Sequence, residues 1–62
     1  MEDDGFIDDE LIDSVAREYV GRYGVGCIPL IRERASIAEQ AGDFLSAQAW
    51  SDIAQAAERI LT

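Results

Sequence analysis

Few residues in this chain belong to the types that carry out most protein chemistry. The chain has no histidine and its five cationic side chains are all arginines, so a general base would be a carboxylate, a tyrosine or a thiolate. Cys27 is the single cysteine. It begins a predicted helix, whose N-terminus favours the thiolate, but no His or Lys is present to act beside it. We therefore predict that Cys27 packs as a small apolar residue and that the chain is not an enzyme.

Carboxylates are concentrated in the first thirteen residues, which we call the acidic head. It holds seven of the thirteen acids and no basic residue: Glu2, Asp3, Asp4, Asp8, Asp9, Glu10 and Asp13. Hard cations bind several oxygens on one loop, but the spacing of an EF-hand loop is missing. We expect a solvated helix start or a contact surface for a basic protein, with Asp8, Asp9 and Asp13 as candidate interaction residues. No metal and no cofactor is predicted.

Three further motifs suggest ligand sites, and each lacks the context that such a site requires. Asp13-Ser14-Val15 resembles the phosphopantetheine site of acyl carrier proteins, but Ser14 falls inside a predicted helix with little chain before it. Gly24-Val25-Gly26 could cradle a phosphate, yet a helix precedes it where the dinucleotide fingerprint has a strand. A basic patch could bind phosphate, but its arginines lie among acids and are expected to form a solvated face: Arg22, Arg32 and Arg34.

Apolar residues recur at three- and four-residue steps in three segments, which is the period of an α-helix. The first segment runs from about residue 8 to 23, the second from near 27 to 41, and the third from about 44 to 61. No sustained alternation predicts a strand. The fold class is therefore all-α, and we expect a small three-helix bundle in an up-down-up arrangement. Residues 1–6 are predicted to be a frayed acidic tail.

The joint between the second and third segments is the sharpest local signal. Gly42 suits the left-handed position that follows a helix end. Asp43 can accept a hydrogen bond from the first turn of the next helix. Because no residue separates these two, the sequence predicts a tight helical hairpin with Gly42 and Asp43 in structural roles.

Many alanines on the last two segments predict a thin core. Burial then depends on the large apolar side chains, namely Phe44, Tyr19, Tyr23, Trp50 and the isoleucines. We expect Ile37 and Ala41 on the buried face of the second helix and Ile60 on that of the third. Trp50 is predicted to pack in the core. The alternative is that it anchors a protein partner, since tryptophan is enriched at interfaces.

The length of 62 residues allows a single domain, 1–62, of marginal stability. One cysteine excludes an internal disulfide. We therefore expect a protein partner or a homodimer to stabilise the domain. The net charge of −8 argues against binding nucleic acid or an anionic membrane. The acidic start is unlike a signal peptide, and the longest apolar run is too short for a bilayer span. A cytoplasmic location is the expectation.

From residue 31 onward the chain resembles a family of short, uncharacterised alphaproteobacterial helical proteins, classed as a domain of unknown function. The resemblance is carried by a Glu-Arg pair, an Ala-Gly-Asp joint and a Trp-x-x-Ile-Ala segment, at Glu33, Arg34, Ile37, Ala38, Ala41, Gly42, Asp43, Trp50, Ile53 and Ala54. It implies an all-helical fold and no particular activity. The same segment is also similar to one tetratricopeptide hairpin, but a solenoid needs about three repeats.

These observations predict a non-enzymatic protein–protein interaction module, which the acidic head steers toward a basic partner. The alternative is an acidic inhibitor or nucleic-acid mimic of the antitoxin, antirepressor or anti-CRISPR type, acting on a basic protein target.

Overall fold

The fold is all-α. It is given by a computed structural model that describes residues 9–62, with side chains from residue 10 onward. Helix α1 spans Asp9–Tyr23, a 3₁₀ turn spans Gly24–Gly26, α2 spans Cys27–Gln40 and α3 spans Phe44–Leu61. The described residues contain no strand. The predicted tail, 1–6, and Asp8 lie outside the described residues, as does the side chain of Asp9.

The predicted three-helix bundle is wrong. The described helical residues form two uninterrupted runs, 9–40 and 44–61, because the 3₁₀ turn connects α1 to α2 without a non-helical residue. Gly24, at φ +61°, lies within this turn. Helices α1 and α2 both pack mainly on α3 and contact each other little. The result is a flat particle of 31 × 30 × 16 Å rather than three mutually packed helices.

The core lies along α3 and consists largely of alanine. Among residues 10–62, five of the nine buried apolar residues are alanines, so the helices approach closely but each contact buries little area: Ile12, Ala16, Cys27, Ile31, Ala49, Ile53, Ala54, Ala56 and Ala57. The largest fully buried side chains are those of Ile31 and Cys27. Cys27 therefore packs as a small apolar residue, as the sequence predicts.

Several side chains that were expected in the core are exposed. Phe44 is 71% exposed and Ile37 57%, and the remaining members of this set are Tyr23, Ala41 and Ile60. The extent of burial depends on how many neighbouring helices each helix packs against. Helix α2 packs mainly on α3, so its buried stripe is narrow and ends before Ile37.

The end of α2 is closed by Gly42, which lies at φ +79°. Its N–H donates to the carbonyl of Glu39 at 3.0 Å, and the N–H of Asp43 donates to the carbonyl of Ala38 at 2.9 Å. This pair of hydrogen bonds is the Schellman motif, which satisfies carbonyls that a helix end leaves without partners. The predicted left-handed glycine is therefore present.

Asp43 also starts α3. Its side-chain Oδ1 accepts from the N–H of Ser46 at 3.2 Å, and its carbonyl accepts from the N–H of Ala47 at 3.0 Å. The predicted N-cap is therefore present. Asp43 thus completes the end of α2 and also begins α3. No unbonded linker residue therefore separates the two helices.

Within residues 9–62, none of the helices combines the length and the hydropathy of a membrane span.

Replacing Gly42 with valine should destabilise the fold by about 1–2 kcal/mol, because a β-branched residue is strained in the left-handed region. No atom lies within 4 Å of the added Cβ, so the cost comes from the backbone and not from a clash. Gly21→Ala, within α1, is the control and should instead stabilise by about 0.5–1 kcal/mol. Urea unfolding followed by helical circular dichroism measures both. Equal stability of Gly42→Val and the parent chain would contradict the assignment.

Replacing Asp43 with alanine should cost about 1 kcal/mol, because the N–H of Ser46 loses its acceptor. Asp43→Asn keeps an oxygen acceptor and should retain most of the stability. Glu33→Ala, an exposed change on α2, is the control for the loss of one negative charge. Thermal unfolding distinguishes these variants. A loss in Asp43→Asn as large as in Asp43→Ala would show that charge, and not capping, matters.

Candidate functional site

Trp50 lies where all three α-helices meet and is half-buried. Its ring meets that of Tyr19 from α1 edge-on, with centroids 6.0 Å apart. Tyr19 in turn contacts the ring of Tyr23 at 5.8 Å. Tyr23 is 51% exposed, so this aromatic row extends from the core to the surface. Trp50 therefore packs against the core while it remains partly exposed.

The guanidinium of Arg34, from α2, lies over the ring of Trp50, 5.8 Å from its centroid. This is cation–π geometry. Arg22 pairs with Glu18 at 3.4 Å, and Arg32 pairs with Glu58 across the α2–α3 interface. The three arginines thus have separate partners within the fold.

The described part of the acidic head lies toward the C-terminal end of α3. Glu10 and Asp13 line a shallow groove with Ala56 and Arg59, and Asp13 also pairs with Arg17 at 2.7 Å. Ala56 is six residues after Trp50 on α3, a rise of about 9 Å. The predicted interaction residues Asp13 and Trp50 therefore have different neighbours on α3.

A second surface surrounds the Gly42-Asp43 joint, and we call its three large apolar residues the hairpin-tip surface: Ile37, Phe44 and Leu45. Leu45 is 76% exposed, more than any other large apolar residue described. The sequence prediction missed this surface because it assigned Ile37 and Phe44 to the core. The sequence pattern could not reveal it, because Ile37 and Phe44 both fit the three- and four-residue period of a buried helix face.

Beside Phe44 a shallow groove runs along the hairpin. This tip groove is lined by Glu39, Phe44, Ala47, Gln48 and Ser51. It continues into a second depression between α2 and α3, which shares Glu39, Ala47 and Ser51 with it. Phe44 is the single large apolar residue in the lining of the tip groove.

Acidic residues predominate around the joint, and Arg32, which lines the adjoining depression, is paired with Glu58. From residue 35 to residue 58 the chain holds four acids and no basic residue: Glu39, Asp43, Asp52 and Glu58. Asp52 accepts a hydrogen bond from Gln48 at 3.0 Å, and Glu58 is paired with Arg32. Around the hairpin-tip surface, the free charge is therefore that of Glu39 and the capping Asp43.

The remaining sequence candidates for chemistry are Cys27, Ser14 and the metal-ligating side chains. Cys27 is fully buried, so a solvent-borne substrate has no access to its thiol. Ser14 is exposed in the interior of α1 and does not open a helix. Among residues 10–62, no group of three or more potential metal-ligating side chains lies close enough together to hold an ion.

No protein-family model, curated protein or solved structure matches the chain.

Removing the cation from Trp50 by Arg34→Gln should cost about 0.5–1 kcal/mol and increase quenching of the single tryptophan by acrylamide. Arg32→Gln is the control. It breaks an exposed ion pair with Glu58, costs about 0–1 kcal/mol and should leave the quenching constant unchanged. Equal quenching in Arg34→Gln and the parent chain would show that the guanidinium does not cover the ring in solution.

Proposed function

We propose that this chain is a non-enzymatic module that binds another protein through a helical surface. The observation that carries the proposal is the distribution of apolar side chains. The core is mostly alanine, whereas Phe44, Leu45 and Ile37 are all more than half exposed. Burying a side chain of this size is worth about 1.5–3 kcal/mol, which a small domain cannot readily forgo.

The position of these residues supports binding more than chance exposure. Single exposed apolar residues are normal on protein surfaces, but adjacent ones that flank a rigid joint form a patch. The joint holds the patch in one orientation, because Gly42 and Asp43 bond to both helices. A preorganised surface loses less entropy on binding than a mobile one.

The proposal includes no catalytic step. The chain offers no His or Lys, and its one thiol is buried. We further propose a cytoplasmic location, where an unpaired cysteine is ordinary. Kinship with the short alphaproteobacterial helical proteins also remains a proposal, and the pattern from Glu33 to Ala54 supports it.

A photo-crosslinking experiment tests the function. Benzoylphenylalanine in place of Phe44 should give a defined adduct with a partner protein in cells, or with a second copy. The same group in place of Gln55, an exposed residue in the second half of α3, is the matched control and should give none. Light scattering of the purified chain distinguishes a homodimer from a foreign partner.

A competition experiment tests whether the adduct depends on the hairpin-tip surface. Excess unlabelled protein should suppress the adduct, and so should Val25→Ser, which changes a residue 74% exposed in the 3₁₀ turn. The double variant Phe44→Ser/Leu45→Ser should fail to compete while it keeps its helical circular dichroism. A monomer that forms no adduct from position 44 would contradict the proposed function.

The second candidate is the acidic inhibitor or nucleic-acid mimic, which the charge of the acidic head favours. This candidate predicts that binding depends on the aspartates of the acidic head and not on the hairpin-tip surface. Changing Asp8, Asp9 and Asp13 to asparagine should then abolish binding to a basic target, and Phe44→Ser/Leu45→Ser should have little effect. Under the leading proposal the asparagine variant should slow association without abolishing it, since distant charges act mainly on the on-rate.

A further inference from the structure

We propose that the hairpin-tip surface and the tip groove bind a basic amphipathic helix of a partner protein. This inference rests on the proposed function and names the chemistry of the partner. Phe44 belongs to both features, since it is 71% exposed and lines the groove. It connects an apolar anchor to a channel of small residues.

The shape of the groove suits a helix. Its floor includes Ala47 and Ser51, one turn apart on α3, and the adjoining depression adds Ala35 from α2. Small residues let a third helix approach the hairpin closely, and large ones on the partner can enter the spaces between them. Peptides bound this way present apolar residues at three- and four-residue steps. Phe44, Leu45 and Ile37 provide the contacts at the end of the hairpin.

The acidic residues near the groove indicate that the polar face of the partner helix is basic. Residues 35–58 carry only acidic charge, and Glu39 lies in the groove lining itself. The described arginines nearest to this end, Arg32 and Arg34, are occupied by Glu58 and Trp50. A partner with Lys or Arg beside its apolar residues meets complementary charge, and one with Asp or Glu is repelled.

The same charges disfavour a second copy as the occupant. At a two-fold interface the same surface is contributed by both copies, so the acidic charges of Glu39 and Asp43 would be present twice. The net charge of −8 adds repulsion between whole molecules. It also opposes an anionic lipid surface.

The experiment uses two synthetic helical peptides with leucines at identical positions, one with lysine and one with glutamate at the polar positions. Isothermal titration calorimetry with the full chain should show binding of the lysine peptide alone. In ¹⁵N correlation spectra, the lysine peptide should shift the amides of Glu39, Phe44, Leu45 and Ala47. Phe44→Ser/Leu45→Ser should weaken binding by about tenfold or more, as expected for two anchor residues. Val25→Ser should stay within about twofold.

Glu39→Gln tests the charge directly. It should weaken the lysine peptide by a few-fold and reduce the dependence of its affinity on salt, because an exposed charge pair is screened. Glu33→Gln removes a charge from another position on α2 and serves as the control.

Several results would overturn the inference. These are equal affinity for the two peptides, amide shifts limited to residues 9–13, no loss in Phe44→Ser/Leu45→Ser, or a homodimer that this double variant dissolves. A position-44 adduct in cells together with no preference for the lysine peptide would leave the proposed function standing and reject this partner chemistry. Absence of both would reject the two together.

Discussion

The structure depends on the hydrogen bonds of Asp43, because this one residue serves two helices at once. Its N–H completes the end of α2, while its carbonyl and carboxylate begin α3. With Gly42 in the left-handed region, this arrangement directs α3 back along α2 and forms the most extensive interface among the described elements. Helix α1 then packs on α3, so the burial of α1 depends on the same joint.

The interface that the joint creates is close but thin. Alanines allow the helices to approach, yet they contribute little apolar area, and Ile31 and Cys27 are the largest fully buried side chains. The large apolar side chains of the hairpin-tip surface are exposed. The fold therefore retains uncovered apolar surface beside the joint, whose backbone is fixed by hydrogen bonds. A partner that covers this surface would also stabilise the fold, since binding to the native state shifts unfolding by mass action.

Charge is separated along α3. Described residues of the acidic head, with Arg59, lie toward its C-terminal end, whereas the hairpin tip has acids and no cation. Trp50 lies between these two ends of α3, and its ring contacts the ring of Tyr19 and the guanidinium of Arg34. The fold therefore separates a charged region from an apolar one.

The sequence by itself determined what is local: the all-α class, the limits of α3 at Phe44 and Leu61, and the roles of Gly42 and Asp43. These depend on helical period and capping, which involve residues within a few positions of one another. Only the tertiary structure decided which apolar residues are covered. Helix α3 has two partners and buries a wide stripe, while α2 packs mainly on one and leaves Ile37 exposed. The period of a helix shows that it has an apolar face, but the number and position of its neighbours determine how much of that face is buried.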